Sequence, residues 1–457
     1  MLVSAPLWGR NWSRSFVSGT TTENNGIPKI VHSFSPGKTL DSQPRRFRVV
    51  QVQIVHRHGD RTPITPLKNE SYWAGELPSE DLLQKVAKHT KIRRDTSHKP
   101  HLAGGRGAFG KLTQLGLLQM IGLGGRIREE LHSETKKDAL DDIGNVWVNR
   151  GRIFDPSNPI HPRHVKVVST DFARTLQSVQ GTLVGLFPDP PTVEEDIEID
   201  ARHTQILIPD PQPRQTTEQV HLENVLAARP HLQEREGKMK GLAVRTTEAL
   251  KPFLGDDAFQ MKFGVGEEGG DSTQTLSWVQ LAEITKCLQV RSLLPPSISE
   301  EDLEAISAYT AWRWFENMRH PRLAYLAMNK MVSRIVESMG RRVSSVRQRV
   351  NNLRGQTEEV EAAFHLYSAH DSTLIGLLSA FRLEQPAKWP EYGSYFKIEL
   401  IEVAPINQGG GSEDVEYFVR FSLNGEVLRS FWEGTEPCEA IPFEVLVEKS
   451  KLNGIEQ

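Results

Sequence analysis

Hydrophobic positions first crowd the chain at Phe47-Arg48-Val49-Val50-Gln51-Val52-Gln53-Ile54-Val55, a β-branched run of strand length that is apolar on both alternating parities. Such a run predicts a strand covered on both faces, and therefore one central in its sheet. The pattern breaks at once into a polar cluster with Gly59 and Pro63. The chain thus turns at the carboxyl end of that strand, where open α/β sheets bind ligands. Two further segments repeat the plan. Val165–Ser169 reads as a short strand, followed by Phe172, Leu176, Val179, Leu183, Leu186 and Phe187 at helical spacing, with Thr170 or Asp171 placed to cap the helix. Ala363–Tyr367 reads as a third strand, Leu374, Leu377, Leu378 and Phe381 as a helical face, and Ser368-Ala369-His370-Asp371 as the polar link between them.

Thr113 is placed to open another helix, in which Leu123, Ile127 and Leu131 recur every four residues and several glycines suggest close packing. Between 195 and 350, Pro-rich loops alternate with helical stretches; Trp312, Trp314, Phe315, Leu323 and Leu326 read as core. Tyr395–Val403 and Val415–Leu423 read as strands, and Asn424-Gly425 signals a tight hairpin before Glu426-Val427-Leu428. Three polar strand ends separated by long helical insertions imply one α/β domain with a helical cap over its site. On this reading residues 47–65, 160–195 and 350–435 form the core, and 66–159 and 196–349 are cap insertions. Residues 1–46 are an N-terminal tail and 436–457 a C-terminal segment.

Composition narrows the partners. With 38% hydrophobic and 25% charged residues the chain is of ordinary globular make-up, and its 457 residues exceed what one hydrophobic core usually serves. A formal net charge of −3 gives no broad basic field, which argues against nucleic acid as a partner. The most basic stretch, Arg341–Arg349, reads as a solvated helix face or connector. The two cysteines, Cys287 and Cys438, have neither disulfide-framework nor zinc-site spacing and point to a reducing, intracellular setting rather than secretion. No apolar run reaches the ~18 residues of a transmembrane helix. Met1–Asn25 carries Arg10 and Arg14, several Ser and Thr, and no acid before Glu23. That bias suits a transit peptide to mitochondria or another organelle as well as it suits a disordered tail.

The candidate chemistry lies at the strand ends. In Arg57-His58-Gly59-x-Arg61-x-Pro63 two guanidiniums flank an imidazole, with a glycine that permits a sharp turn and a proline that stiffens it. Arginine offers planar, permanently charged donors that match phosphate oxygens, and a neutral imidazole nitrogen between them can attack phosphorus. A bare Arg-His-Gly would be a polar surface turn; Arg61 and Pro63 at their offsets tip the reading toward a site. His56, two residues before His58, should point the same way along a strand, so spacing alone leaves the nucleophile open between them. Arg174 falls in the first turn of a helix, where its charge and the helix N-terminus favour the same anion, although a lone arginine there is commonly a surface residue. His370-Asp371 could be a proton donor pair or simply a helix cap.

The segment Arg57–Pro63 resembles the R-H-G-x-R-x-P signature of the histidine acid phosphatases. Ser169–Leu176 resembles that family's second block, and Ser368–Asp371 its His-Asp block. The resemblance spans roughly residues 47–430 and includes Thr113-x-x-Gly116-x-x-Gln119 as support at the site's edge. It implies an α/β fold of phosphoglycerate-mutase-like type, a mixed and mostly parallel central sheet flanked by helices with a helical cap inserted. It implies His58 as the phosphorylated nucleophile, Arg57, Arg61, Arg174 and His370 as phosphate ligands, and Asp371 as general acid, with no metal and no cofactor. The substrate is then a small phosphomonoester. His56 sits where the family usually has an apolar residue, and reads as a packed histidine able to perturb His58. The Gly104-Gly105 loop before Lys111 and the shortage of cysteines resemble the lysophosphatidic acid phosphatase branch, which implies a lipid phosphate as substrate.

Three rivals stand beside this reading. His56, His58, His370 and Asp371 could converge on a metal, although flanking arginines would repel a cation. A mutase-like transferase would use the same phosphohistidine to move phosphate between substrates. A non-catalytic phosphate or phospholipid-binding module would keep the arginines without turnover.

Overall fold

The computed structural model describes residues 45–95, 105–132, 146–147, 165–188, 196–209, 216–256, 258–260, 275–350, 361–406, 415–432 and 437–452. The Met1–Asn25 segment and Gly104 lie outside them. The strands are β1 (Arg45–Arg57), β2 (Thr90–Arg93), β3 (Val146–Trp147), β4 (Val165–Ser169), β5 (Ile197–Asp200), β6 (Phe364–Ala369), β7 (Tyr395–Pro405), β8 (Glu416–Leu423), β9 (Glu426–Leu428) and β10 (Ala440–Pro442). They form one sheet in the order β10-β8-β7-β1-β6-β4-β5-β2, with β3 beside β1 and β9 beside β8. From β1 through β6, β4, β5 and β2 every pairing is parallel. β7, β8 and β10 extend the other side in antiparallel pairings.

The central position of β1 follows from its residues. Phe47, Val49, Val52 and Ile54 join one hydrophobic cluster and Val50 and Val55 another. A register shift between Val49 and Gln51 lets Phe47 and Val49 share a face with Val52 and Ile54 despite the change of parity. Buried Gln51 and Gln53 on the other face are satisfied by Ser338 Oγ at 3.0 Å and the Ile335 carbonyl at 3.0 Å. The hairpin between β8 and β9 turns at Asn424 and Gly425, both with positive φ, as its sequence predicts.

The helices are α1 (Glu70–Gly75), α2 (Glu80–Ala87), α3 (Gln114–His132), α4 (Ala173–Leu186), α5 (Thr217–Ala227), α6 (Pro230–Leu250), α7 (Trp278–Val290), α8 (Glu300–Met318), α9 (Pro321–Val350), α10 (Asp371–Ala380) and α11 (Phe443–Leu452). Met120, Leu123, Ile127 and Leu131 of α3 and Leu176, Val179 and Leu183 of α4 bury against one sheet face. Ala327, Met331, Ile335 and Met339 of α9, with α10 and Leu446 of α11, cover the other. A separate cluster built around Leu250, Trp278, Leu281, Ile284, Ile306 and Tyr309 joins α6, α7 and α8 into the cap.

The core is therefore larger than residues 47–65, 160–195 and 350–435. α3, β2 and β3 from the 66–159 segment, β5 and α9 from the 196–349 segment, and β10 and α11 from the C-terminal segment all belong to the sheet layers. Their apolar stripes match the sheet faces, the largest apolar surfaces they can cover. Thr170 and Asp171 do not cap α4, whose N-cap is Phe172 with no side-chain bond. Thr113 does meet the expectation, accepting from Gly116 N at 3.0 Å. Among the described residues no helix is long and apolar enough to cross a membrane.

Candidate active site

Strand order brings the three polar links together. β6 lies between β1 and β4, so the segments after Arg57, Ser169 and Ala369 leave the sheet side by side at its carboxyl edge. Arg57, His58, Arg61, Arg174, His370 and Asp371 all line one cavity of about 840 Å³, between that edge and the cap. His56 does not line it. β1 ends at Arg57, and beyond its end the strand's alternation no longer fixes where His58 points.

The turn after β1 is held tightly. A Cβ on Gly59 would sit 2.3 Å from the Gly116 carbonyl oxygen, and one on Gly116 would sit 2.0 Å from that of Asp60. The glycine pair thus lets the start of α3 press backbone to backbone against the turn. Buried Asp60 takes Thr113 Oγ1 at 2.6 Å and Arg291 Nη2 at 2.8 Å, while its N–H donates to Gln119 Oε1 at 2.8 Å. Thr113, Gly116 and Gln119 therefore brace the turn, as the sequence spacing suggests.

His58 Nδ1 lies 2.8 Å from the Gly59 carbonyl oxygen. A carbonyl can only accept, so Nδ1 carries the proton and Nε2 keeps its lone pair. Burial, then Arg174, Arg57 and Arg61, hold the His58 pKa well below the usual imidazole range, so the ring is neutral. His56, absent from those influences, is fully buried with Nδ1 at 3.1 Å from the Arg57 carbonyl; its burial lowers its own pKa to about 4.

The three arginines are unequally compensated. Arg57 Nη2 pairs with Asp371 Oδ2 at 2.7 Å, its Nη1 donates to the Pro390 carbonyl, and its guanidinium lies 4.2 Å from the Tyr392 ring centroid. Arg61 Nη1 pairs with Glu283 Oε2 at 2.8 Å. Arg174 has the Gly110 carbonyl at 3.4 Å and the Phe172 ring at 4.7 Å, and no carboxylate partner among the described residues. Burial, with Arg61 beside it, lowers the Arg174 pKa to about 9. Buried Nε atoms of all three arginines have no hydrogen-bond partner among the described residues. A surplus of buried positive charge with idle donors calls for an anion.

His370 Nε2 lies 3.1 Å from Thr170 Oγ1, itself 2.8 Å from Thr175 Oγ1. Thr175 donates to carbonyls at 2.9 Å, which leaves Thr170 to donate to Thr175 and accept from His370 Nε2–H. Thr170 thus orients His370 rather than capping α4. Asp371 is the first residue of α10, not its cap. Its carboxyl resists burial and stays below the usual carboxylate range through Arg57 and the indole of Trp389, 2.8 Å away.

Four contributors escape sequence reasoning. Glu283, on α7, pairs with Arg61 and accepts from Ile64 N at 3.0 Å, Thr65 N at 2.8 Å and Thr65 Oγ1 at 2.6 Å, tying the cap to the turn after β1. Trp389 and Tyr392 come from the short stretch before β7. Trp314 packs against the core cluster, as its sequence context reads, and lines the cavity as well. The clustering of Trp389 and Tyr392 before a strand was the available signal; Glu283 had none.

The chain resembles counting factor 60 of Dictyostelium discoideum at 25% identity, over 87% of this chain and 85% of that protein. It resembles human lysophosphatidic acid phosphatase type 6 at 23% identity, over 86% of this chain and 82% of that protein. In fold it matches a Hafnia alvei phytase solved with myo-inositol hexakis sulphate, with a TM-score of 0.54 at 15% identity, covering 89% of this chain and 97% of that one. The family model for the histidine phosphatase superfamily (branch 2) matches residues 48–424, most of the chain and every strand end described above, and the protein therefore belongs to that superfamily and branch.

Proposed function

We propose that this cavity hydrolyses phosphate monoesters through a phosphohistidine at His58. The observation that carries the reading is the fixed tautomer of His58, with its Nε2 lone pair free beside three buried guanidiniums. Arg57, Arg61 and Arg174 hold the phosphoryl oxygens, His370 joins them by redirecting its Nε2–H from Thr170 to the phosphate, and His58 Nε2 attacks phosphorus as the ester P–O bond breaks. Asp371 gives its proton to the leaving oxygen. Water then attacks the phosphohistidine while Asp371 takes its proton, the P–N bond breaks, and inorganic phosphate leaves. Uncatalysed monoester hydrolysis is among the slowest of reactions, and preorganised positive charge is the main means by which such a site lowers the barrier.

Asp371 begins ionised beside Arg57. A substrate monoanion carries a proton of its own below a second pKa of about 6, and a bound phosphate competes with Asp371 for Arg57. Both effects let the carboxyl become an acid in the complex.

The body of the substrate is proposed to be a lysophospholipid. Besides its arginines the cavity wall includes Ile64, Pro66, Val279, Ala282, Leu303 and Ile306. Lys286 and Lys388 on the same wall are paired with Glu391 at 2.9 Å and Glu304 at 2.8 Å, so they offer little to a second phosphate. The named relative with a lysophosphatidic acid activity supports the same choice.

The decisive test is rapid-quench trapping with a radiolabelled aryl phosphate in chelator at mildly acidic pH, beside His58→Ala. The expected result is an acid-labile, base-stable phosphoenzyme and metal-independent turnover, both lost in the variant. Chelator-sensitive turnover would establish metal chemistry, and phosphate binding without turnover a binding module. Phosphate passing to an added alcohol in preference to water would establish a transferase. In the same assay a lysophosphatidate should exceed an inositol hexakisphosphate in kcat/KM; the reverse order removes the lipid assignment.

A further inference from the structure

Trp389 stands between the cap and the proton donor. Its indole Nε1–H donates to Asp371 Oδ2 at 2.8 Å, the oxygen that also takes Arg57 Nη2 at 2.7 Å, while Asp371 Oδ1 accepts from Ser372 N at 2.8 Å. The cap holds the indole in place. Its ring meets that of Trp314 edge-on, with centroids 5.8 Å apart at 80°, and its backbone N–H reaches Ser307 Oγ at 3.4 Å. On either side of it Lys388 is paired with Glu304 and Glu391 with Lys286, so α7 and α8 clasp the segment carrying Trp389.

We propose that Trp389 is a positioning residue, one that fixes the orientation of the Asp371 carboxyl and sets how readily it yields and retakes a proton. The inference rests on Asp371 being the proton donor of the proposed reaction. An indole N–H can donate but not accept, so its bond to Asp371 is strongest when the carboxyl is ionised. Trp389 therefore favours the form that activates water in the second half of the reaction and restrains the form that protonates the leaving group in the first. Arg57, Arg61, Arg174 and His370 also face this carboxyl and act in the same direction when charged, but none of them is altered by changing the indole. Trp389 arrives on the segment the cap clasps, so the cap takes part in proton transfer as well as in shaping the cavity.

Trp389→Phe keeps an aromatic ring against Trp314 and removes only the donor. Titration of carboxyl-labelled aspartate by NMR, with the Asp371 signal assigned from Asp371→Asn, should show the Asp371 midpoint rising by about one pH unit in Trp389→Phe. The alkaline limb of kcat on an alkyl phosphate, whose leaving oxygen needs that proton, should rise with it, since kcat reports ionisations in the substrate complex. An unmoved midpoint, or a uniform loss of kcat at every pH with neither midpoint nor limb displaced, overturns the proposal. A midpoint that moves while the limb stays fixed upholds the hold of Trp389 on the carboxyl and overturns instead the assignment of Asp371 as the acid. The wild-type protein gives a check that does not depend on the variant folding. Its Trp389 indole N–H resonance must titrate with the Asp371 midpoint, and an indole signal indifferent to that midpoint also overturns the proposal.

Discussion

The imidazole of His58 and the carboxyl of Asp371 are both drawn below their usual pKa ranges, and Arg57 and Arg61 act on both. For His58 the shift keeps the proposed nucleophile neutral far into acid. Activity should therefore persist well below pH 6.5, the ordinary value of an imidazole, and fall as the pH rises through the second ionisation of the substrate near 6. A kcat/KM profile losing activity toward acid with a midpoint near 6.5 would remove His58 as a neutral attacker. Asp371→Asn should lower kcat/KM, which reports only the steps through phosphoenzyme formation, by roughly 10²- to 10⁴-fold on alkyl phosphates and by much less on nitrophenyl phosphate, whose leaving group needs no proton. Equal losses of kcat/KM on both would show that Asp371 does not protonate the leaving group. That the residues proposed for this chemistry line one cavity was legible in part because each sits at or just beyond the end of a strand the sequence declares. Glu283, Trp389 and Tyr392 were not, since a carboxylate on a helix or an aromatic in a loop acquires its partner only when distant segments meet.

Elements carry the site through their close approaches. α3 and α4 cross where Gly124 and Gly185 face backbone: a Cβ on Gly185 would fall 1.9 Å from the Ile121 carbonyl oxygen, and one on Gly124 2.0 Å from that of Thr182. Gly185→Ala should cost about 1–3 kcal/mol of stability by forcing the two helices apart. Urea unfolding measures it, and an unchanged midpoint would mean that the helices can separate freely. The glycines in α3 were readable as a sign of close packing. That α4 was their partner was not, because packing pairs depend on which helices share a sheet face. The cap of α4 was misjudged for a related reason. Thr170 is well suited to capping by local rules, but its hydroxyl bonds Thr175 and His370 in the folded site, and that tertiary use prevails.

For the whole molecule, buried histidines set a limit on the acid side. The His56 pKa of about 4 in the fold lies below the unfolded value of about 6.5, so between the two the unfolded chain binds the extra proton. Its contribution is therefore complete above about pH 6.5 and is lost as the pH falls toward 4, at most about 3 kcal/mol in all. His56→Leu should lose less stability between pH 7 and 4.5 than the parent, by about 2–3 kcal/mol in paired urea titrations. Identical pH dependence would show that His56 already finds solvent. Bound phosphate, by occupying the surplus of arginine charge, should offset part of the acid sensitivity. The sequence by itself determined the central strand, the strand-link-helix repeats and the strand-end residues Arg57, His58, Arg61, Arg174, His370 and Asp371, because periodicity and turn chemistry are written within a few neighbouring residues. Only the tertiary structure decided that α3, β5, α9 and α11 belong to the core, that β6 lies between β1 and β4, and that Glu283 and Trp389 reach Arg61 and Asp371. These are pairings between remote segments, fixed by which apolar faces bury each other and which buried charges must be met.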